Sequence, residues 1–338
     1  MAARYFIDQF GGMEFRHGGV TCVDAENVLA ARGFLPVTIP GRDDFSAGGK
    51  LRRFFFLLQT CWRLPRGSWV AFLFPVYARM NRWLIRLLAW KGLRPVCIIA
   101  DIEGLRDADD SLLAAEKRDF RRWRYFVVHN EAMREWILAV VPGAQCALLS
   151  YFDFLTASVD TNRQPAPEIA FAGNLEKSPF TAQLPQISSA RLRFHLYGPG
   201  YRAGENAAGV THHGVYRPEE MPGQIQGSFG LIWDGESIDS CSGSYGEYLR
   251  LNTQHKLSLY ILAGLPVIVW REAATAKMVA SAGIGKCIGS LRELESLVAG
   301  ISVEEYAAMR TRMRPLAKKI SEGGNLADAI EELTGRAS

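Results

Sequence analysis

Between Asn252 and Trp270 the sequence reads NTQHKLSLYILAGLPVIVW, a polar turn that runs into an apolar helical segment and then, through Gly264-Leu265-Pro266, into a β-branched strand. Lys256 falls in the first helical turn, where the macrodipole and unpaired amide N–H groups favour an anion over a cation. Asn252 or Thr253 is placed to cap that helix. A cation beside free amides suits a bound diphosphate. The same residues also suit a solvent-facing lysine on a core helix, and the segment alone leaves both readings open. A second segment, IAFAGNLEKS over Ile169–Ser178, ends an apolar strand in a small-residue turn and then presents Asn174 and Lys177. The carboxyl end of a parallel strand is where α/β domains hold ligands, and Gly173 would let the backbone approach a phosphate closely. An ordinary strand-to-turn junction fits these residues as well.

Two glycine runs are weaker signals. In Gly198-Pro199-Gly200-Tyr201-Arg202-Ala203-Gly204 the spacing is GxGxxxG and Pro199 alters the turn, so it departs from the dinucleotide-binding pattern. Gly11-Gly12 and Gly18-Gly19 flank Glu14, Arg16 and His17, which reads equally as a loop over a ligand or a plain glycine-rich turn. In the amino-terminal half, Asp101 follows the apolar run Val96–Ala100 directly, in ADIEGLR, with Glu103 and Arg106 nearby. A carboxylate there can accept a proton from a hydroxyl or cap the next helix, and chemistry alone favours the cap. From Lys50 to Arg94 the chain is rich in Arg, Phe, Trp and Leu. Two ordinary helices with snorkelling arginines account for this, as does a basic amphipathic surface that touches anionic lipid headgroups.

The elements that must position these groups alternate regularly. Arg4–Gln9, Leu35–Ile39, Val70–Phe74, Val96–Ala100, Tyr125–His129 and Cys146–Ser150 read as strands with helical segments between them, which argues for βα units on a parallel sheet. A polar, proline-bearing stretch, Thr156–Glu168, suits an exposed crossing between domains. The alternation then restarts at Ile169–Ala172 and continues through Leu192–Tyr197, Val210–His212, Phe229–Trp233, Pro266–Trp270 and Ile284–Ile288. Ser302 to Glu305 has the form of a capping box ahead of Tyr306, Met309, Met313 and Leu316, and a last helix is expected over Leu326–Leu333. The expected division is 1–160, 161–315, and closing helices over 316–338 that are candidates to pack back on the first domain.

Composition narrows the classes. With 338 residues and 48% apolar positions the chain can bury two cores, and a net charge of +4 from 39 basic and 35 acidic residues is far from a dedicated nucleic-acid binder. The six cysteines form no CxxC pair and the six histidines no HxxxH pair, so no metal is expected and a reducing, cytoplasmic location is. Met1–Gln9 reads as a strand rather than a signal peptide, and Trp69–Ala78 is too short an apolar run to span a bilayer.

The ordered set AGNLEKS, FHLYGPGY, HHGVY, FGLIWDG and YLRLNTQHKLSLYILAGLPVIVW, preceded by ADIEGLR, VVHNEAMREWI and FDFL, resembles the bacterial glucosyltransferase and galactofuranosyltransferase family of the GT-B fold. That family builds surface polysaccharides and protein-linked glycans. The resemblance implies an α/β protein of two facing Rossmann-like domains with parallel sheets and a cleft between them. It further implies a UDP-sugar donor gripped mainly by the second domain, a glycan acceptor on lipid or protein held by the first, and transfer with no metal and no cofactor beyond the donor. Lys177 and Lys256 would neutralise the diphosphate, Asn174 and Asn252 would hydrogen-bond it, and Gly173 and Gly198 count with them as nucleotide-binding. Tyr216 and the backbone of Gly214–Val215 would hold the base or ribose. The assigned members invert, which calls for a base in the first domain, Asp101 first and Glu103 second. The chain departs from the family at Ala100-Asp101, where a His-Asp pair is usual, and at Gln254, where the family's Asn-x-Pro-His-Lys has proline.

The reading is therefore an inverting hexosyltransferase using UDP-glucose or UDP-galactose, pyranose or furanose. Its rivals are a non-hydrolysing UDP-sugar epimerase and a non-catalytic two-lobed sugar-binding protein. Peripheral contact with the inner face of the cell membrane and homo-oligomerisation stay open; nucleic acid is not an expected partner.

Overall fold

Parallel strands covered by helices on both faces are buried on both faces, and the runs that form them are correspondingly apolar throughout. Trp69–Phe74, WVAFLF, is buried at every position. The computed structural model describes residues 2–9, 20–40, 44, 46–76, 79–159, 162–201 and 208–335. The glycine-rich loop over residues 11–19 and the Arg202–Gly204 end of the later glycine run lie outside the described residues.

The chain divides into two compact units, Met1–Ser150 with Asn325–Ser338, and Tyr151–Gly324. In the first, β1 (Arg4–Asp8), β2 (Leu35–Thr38), β3 (Trp69–Phe74), β4 (Arg94–Ile99), β5 (Tyr125–Val128) and β6 (Gln145–Leu148) form a six-stranded sheet in the order β2-β1-β3-β4-β5-β6. In the second, β7 (Glu168–Ala172), β8 (Arg193–Tyr197), β9 (Val210–His212), β10 (Phe229–Ile232), β11 (Val267–Trp270) and β12 (Gly285–Ile288) form another, in the order β12-β11-β10-β7-β8-β9. Every pairing in both is parallel. All of these strands fall on the runs read from the sequence, with ends that differ by one or two residues.

Strand order locates the switch points at which open α/β sheets hold ligands: β1/β3 in the first sheet and β7/β10 in the second. The second is fixed from below by Tyr260 on the helix His255–Leu262. Its hydroxyl accepts from the Ala172 N–H at the end of β7 (2.9 Å) and donates to the Leu231 carbonyl of β10 (3.1 Å). Gly230 makes room for this ring, since a Cβ there would stand 2.3 Å from it.

Two local expectations need correction. The polar stretch Thr156–Glu168, expected as an exposed crossing between domains, lies inside the second unit, which begins at Tyr151. Arg163 donates to the carbonyls of Ala263, Gly227 and Ile225 at 3.1, 2.7 and 2.7 Å, which straps the segment to the second unit by satisfying loop carbonyls. Ser302 caps the helix Val303–Ser321 by accepting from the Glu305 N–H, but Glu305 pairs with Lys286 at 2.6 Å instead of closing a capping box. The reciprocal box is formed elsewhere, by Ser290 and Glu293.

Candidate functional site

The loops after β7 and β10 and the start of the helix His255–Leu262 meet at the second unit's switch point. Lys256 lies in the helix's first turn and reaches back over the sheet edge. Its Nζ stands 3.1 Å from both carboxylate oxygens of Asp234, 3.4 Å from the Trp233 carbonyl and 4.4 Å over the ring of Phe171. It is also 3.8 Å from the point where a Cβ on Gly173 would sit. Burial pushes the Asp234 carboxyl above its ordinary range, and the Lys256 ammonium pulls it back.

The helix itself is capped differently from the expectation. Gln254 is the N-cap residue and makes no side-chain cap bond, so neither Asn252 nor Thr253 takes that place. Gln254 instead donates its amide to the carbonyl and side-chain oxygen of Asn252 at 3.2 and 2.5 Å. Hydrogen bonds thus supply the stiffness that a proline ring would give at position 254, and the first-turn amides keep no side-chain acceptor from Gln254. The neighbouring His255 is packed on Phe154 with ring centroids 4.8 Å apart, and burial holds its pKa down at about 4.

Asn174 follows Gly173 and caps the short turn Leu175–Lys177 by accepting from the Glu176 N–H at 3.0 Å. Lys177 is exposed, with its ammonium 5.5 Å over the Tyr245 ring. The two glycines of the expected set differ in kind. A Cβ on Gly173 would meet only ordinary contacts, at 3.7 and 3.8 Å. Gly198 has φ +129°, and its Cβ would lie 1.8 Å from the Gly173 carbonyl oxygen, so glycine is required there to press the turn after β8 onto the turn after β7. Gly198 shapes the site through Gly173. Beside this turn Tyr216, Tyr197 and His213 form an aromatic row, with Tyr197 and His213 stacked at 4.7 Å and 8° and Tyr216 6.1 Å from Tyr197. His213 Nε2 and His195 Nδ1 are 3.0 Å apart, and burial lowers the pKa of both imidazoles, which favours their neutral forms.

In the first unit Asp101 and Glu103 lie just beyond β4, one strand away from the β1/β3 switch point. Asp101 does not cap the next helix. The N-cap is Ile102, and the free amides of Glu103 and Gly104 are taken, at 2.9 Å each, by the carboxylate of Glu116 from the helix Asp110–Phe120. Burial pushes the Glu116 pKa up to about 7 against the pull of those two amides. Arg106 gathers the expected carboxylates: it pairs with Asp101, and its guanidinium is 3.6 Å from Glu103. Asp101 also accepts from the Ile102 N–H at 3.0 Å.

Asp234, Tyr260 and Glu116 were not singled out in the sequence. Asp234 follows an apolar strand in WDG as Asp101 does in ADIE, so the same rule finds both. A glycine inside the strand FGLI was the signal for the close approach of Tyr260. Glu116 carries no such mark, since its amide partners come from a separate helix.

This pair of six-stranded parallel α/β sheets is the GT-B fold of glycosyltransferases. Residues 169–333 match the family described as Glucosyltransferase 3-like, C-terminal domain, so the second unit carries a domain of that family, as its motifs had suggested. The chain is 29% identical over 245 residues, 71% of each protein, to the beta-1,6-galactofuranosyltransferase WbbI of Escherichia coli (strain K12). It is 31% identical over 161 residues, 47% of this chain and 46% of the relative, to Glucosyltransferase 3 of Streptococcus gordonii. Among solved structures it resembles Anabaena HepE in complex with UDP, with a TM-score of 0.64 at 11% identity, covering 99% of this chain and 100% of that one. It also resembles WaaG, a glycosyltransferase involved in lipopolysaccharide biosynthesis, with a TM-score of 0.53 at 12% identity, covering 98% and 99% of the two chains.

Proposed function

We propose that this protein transfers a hexosyl group, glucose or galactose in pyranose or furanose form, from a UDP-sugar to a hydroxyl of a glycan acceptor, with inversion and without a metal ion. The observation that carries the proposal is Lys256. A cation in the first turn of a helix whose N-cap offers no side-chain acceptor, beside Gly173 at the switch point, is what a departing diphosphate needs. The similar proteins WbbI and Glucosyltransferase 3 are hexosyltransferases by name, and HepE is a structural neighbour solved in complex with UDP.

In this reading the acceptor oxygen attacks the anomeric carbon, the bond from that carbon to the β-phosphate oxygen breaks, and UDP leaves with the electron pair. Lys256, Lys177 and the helix amides stabilise the charge that develops on the diphosphate, the task a metal ion performs in other enzymes. Asp234 holds Lys256 in place until phosphate oxygens compete for it. Asn174 and Asn252 hydrogen-bond the phosphates, and Tyr216 with its aromatic row faces the base or ribose. The hydroxyl proton passes to Asp101, or to Glu103 beside it; Arg106 holds these groups in place. The acceptor is a glycan on lipid or protein. Six unpaired thiols fit a reducing, cytoplasmic setting.

Thermal unfolding in the presence of UDP, GDP and their sugars tests the donor, because a ligand that binds the folded state alone raises the melting temperature. UDP and one UDP-sugar are expected to stabilise. Stabilisation by GDP compounds alone would refute the donor assignment, and consumption of a UDP-sugar to an isomer with no acceptor present would make the protein an epimerase.

A further inference from the structure

The helices Ala47–Arg63 and Arg79–Lys91 of the first unit turn large apolar side chains outward. Leu51, Phe55 and Trp62 are 56%, 60% and 74% exposed on the first helix, and Trp83 and Trp90 are 65% and 81% exposed on the second. Their spacings, four and eleven residues from Leu51 and seven between the tryptophans, put each set along one helix face. The opposite faces hold the core, with Arg53, Leu57 and Cys61 buried on one helix and Leu84, Ile85 and Leu88 on the other. Lys91 ties the two helix ends together by donating to the carbonyls of Cys61, Trp62 and Leu64 at 2.6, 2.6 and 2.7 Å. Trp62 and Trp90 therefore stand at the same end of the pair.

Charge identifies the occupant. Between Phe45 and Ala100 the sequence has ten lysines and arginines and not one aspartate or glutamate. Some are spent internally, Lys91 on carbonyls and Arg82 on Asp119 at 2.9 Å, but Lys50, Arg52, Arg63, Arg66 and Arg86 are exposed around the tryptophans. Asp119 is shared, since Arg122 pairs with it as well. A symmetric contact with a second copy would set this mostly basic face against itself, with Asp44 beside Arg52 as the exposed carboxylate at its edge. Among the described residues no helix is long and apolar enough to cross a membrane, so the face can lie on a bilayer but not span one. Outward tryptophans ringed by arginines are suited to the headgroup boundary of an anionic leaflet.

We infer that the outer face of these two helices docks on an anionic lipid bilayer surface. This goes beyond the glycosyl-transfer reading and does not depend on it. The test is co-sedimentation of the whole chain with vesicles of phosphatidylcholine alone and of phosphatidylcholine mixed with phosphatidylglycerol. Binding is expected to the mixed vesicles and to fall with added salt. Trp62→Ser combined with Trp90→Ser should weaken it by about tenfold or more. Arg52→Gln and Arg63→Gln should each weaken it by about fivefold. All these positions are exposed, so the unfolding midpoints should stay put. Equal binding to both vesicle types, or vesicle binding indifferent to all these substitutions, overturns the inference. So does a dimer in sedimentation velocity that the tryptophan substitutions abolish in a protein that ignores vesicles, because the face would then belong to a second copy.

Discussion

At the carboxyl edge of the second sheet, a lysine is held against one carboxylate at the β7/β10 switch point, next to a glycine where a Cβ would meet only ordinary contacts. At the corresponding edge of the first sheet, Asp101, Glu103 and Asp107 share Arg106, and the helix start behind them is closed by a further carboxylate, Glu116. At one edge the N-cap residue Gln254 places no side-chain acceptor on its helix's amides; at the other a carboxylate occupies them. The contrast teaches that a shared architecture fixes where groups stand, while the cap decides whether a helix start is available to an anion. An amide set already bound to Glu116 cannot also hold a phosphate.

The sharpest way to break the comparison is through the second unit's glycines. Gly198→Ala forces a Cβ into the Gly173 carbonyl at a left-handed φ and should cost roughly 2–4 kcal/mol in denaturant unfolding. A near-neutral result would mean that the two turns are not pressed together. Tyr260→Phe removes an acceptor from the buried Ala172 N–H and a donor from the Leu231 carbonyl, and about 1–3 kcal/mol should be lost. Retention of full stability would show that the switch point does not rely on this hydroxyl.

Acid should separate the units. His255 in the second has a folded pKa of about 4 against an ordinary 6.5, so its contribution is complete above 6.5 and is lost as pH falls toward 4. His195 and His213 shift the same way, while Asp234, raised by burial but drawn back by Lys256, works in the opposite direction. In the first unit His129 is likewise held at about 4, but Glu116, raised from 4.5 to about 7, works against it. Its folded form takes up the proton first, so its contribution grows as pH falls from about 7 to 4.5. Hydrogen exchange at mildly acidic pH should show β8 amides losing about 1–2 kcal/mol of protection while β4 amides hold theirs. Glu116→Gln should make β4 lose protection as well. Equal losses in both sheets of the unaltered protein would contradict this balance.

The smallest expected change is the most discriminating. Gly173→Ala meets only ordinary contacts and should shift stability by less than about 0.5 kcal/mol. It should nevertheless weaken UDP binding, since the added methyl stands where a phosphate would approach. Unchanged affinity would move the phosphate away from this turn.

Much of this was legible from the chain. Unbroken apolar runs such as WVAFLF carry enough information to fix a buried parallel strand, and NTQHKLSLYILAGLP marks both the helix and its anion-favouring start. The identity of the cap was not legible. Asn252 and Thr253 are better cap formers than Gln254, yet the chain enters the helix one residue later because Gln254 is anchored on Asn252. Asp101 likewise looked like a cap until a carboxylate from another helix took its place. Both are tertiary choices among locally similar options, and spacing cannot rank those.

The central claim is that Lys256 and the amides around it are built for a diphosphate. Titration of UDP into the native protein and into Lys256→Ala measures this directly, with Lys256→Arg as the charge-preserving control. The account predicts a loss of roughly tenfold to a hundredfold in affinity for the alanine variant and a smaller loss for arginine. Affinity equal to that of the native protein in the alanine variant, with its fold intact, would contradict it.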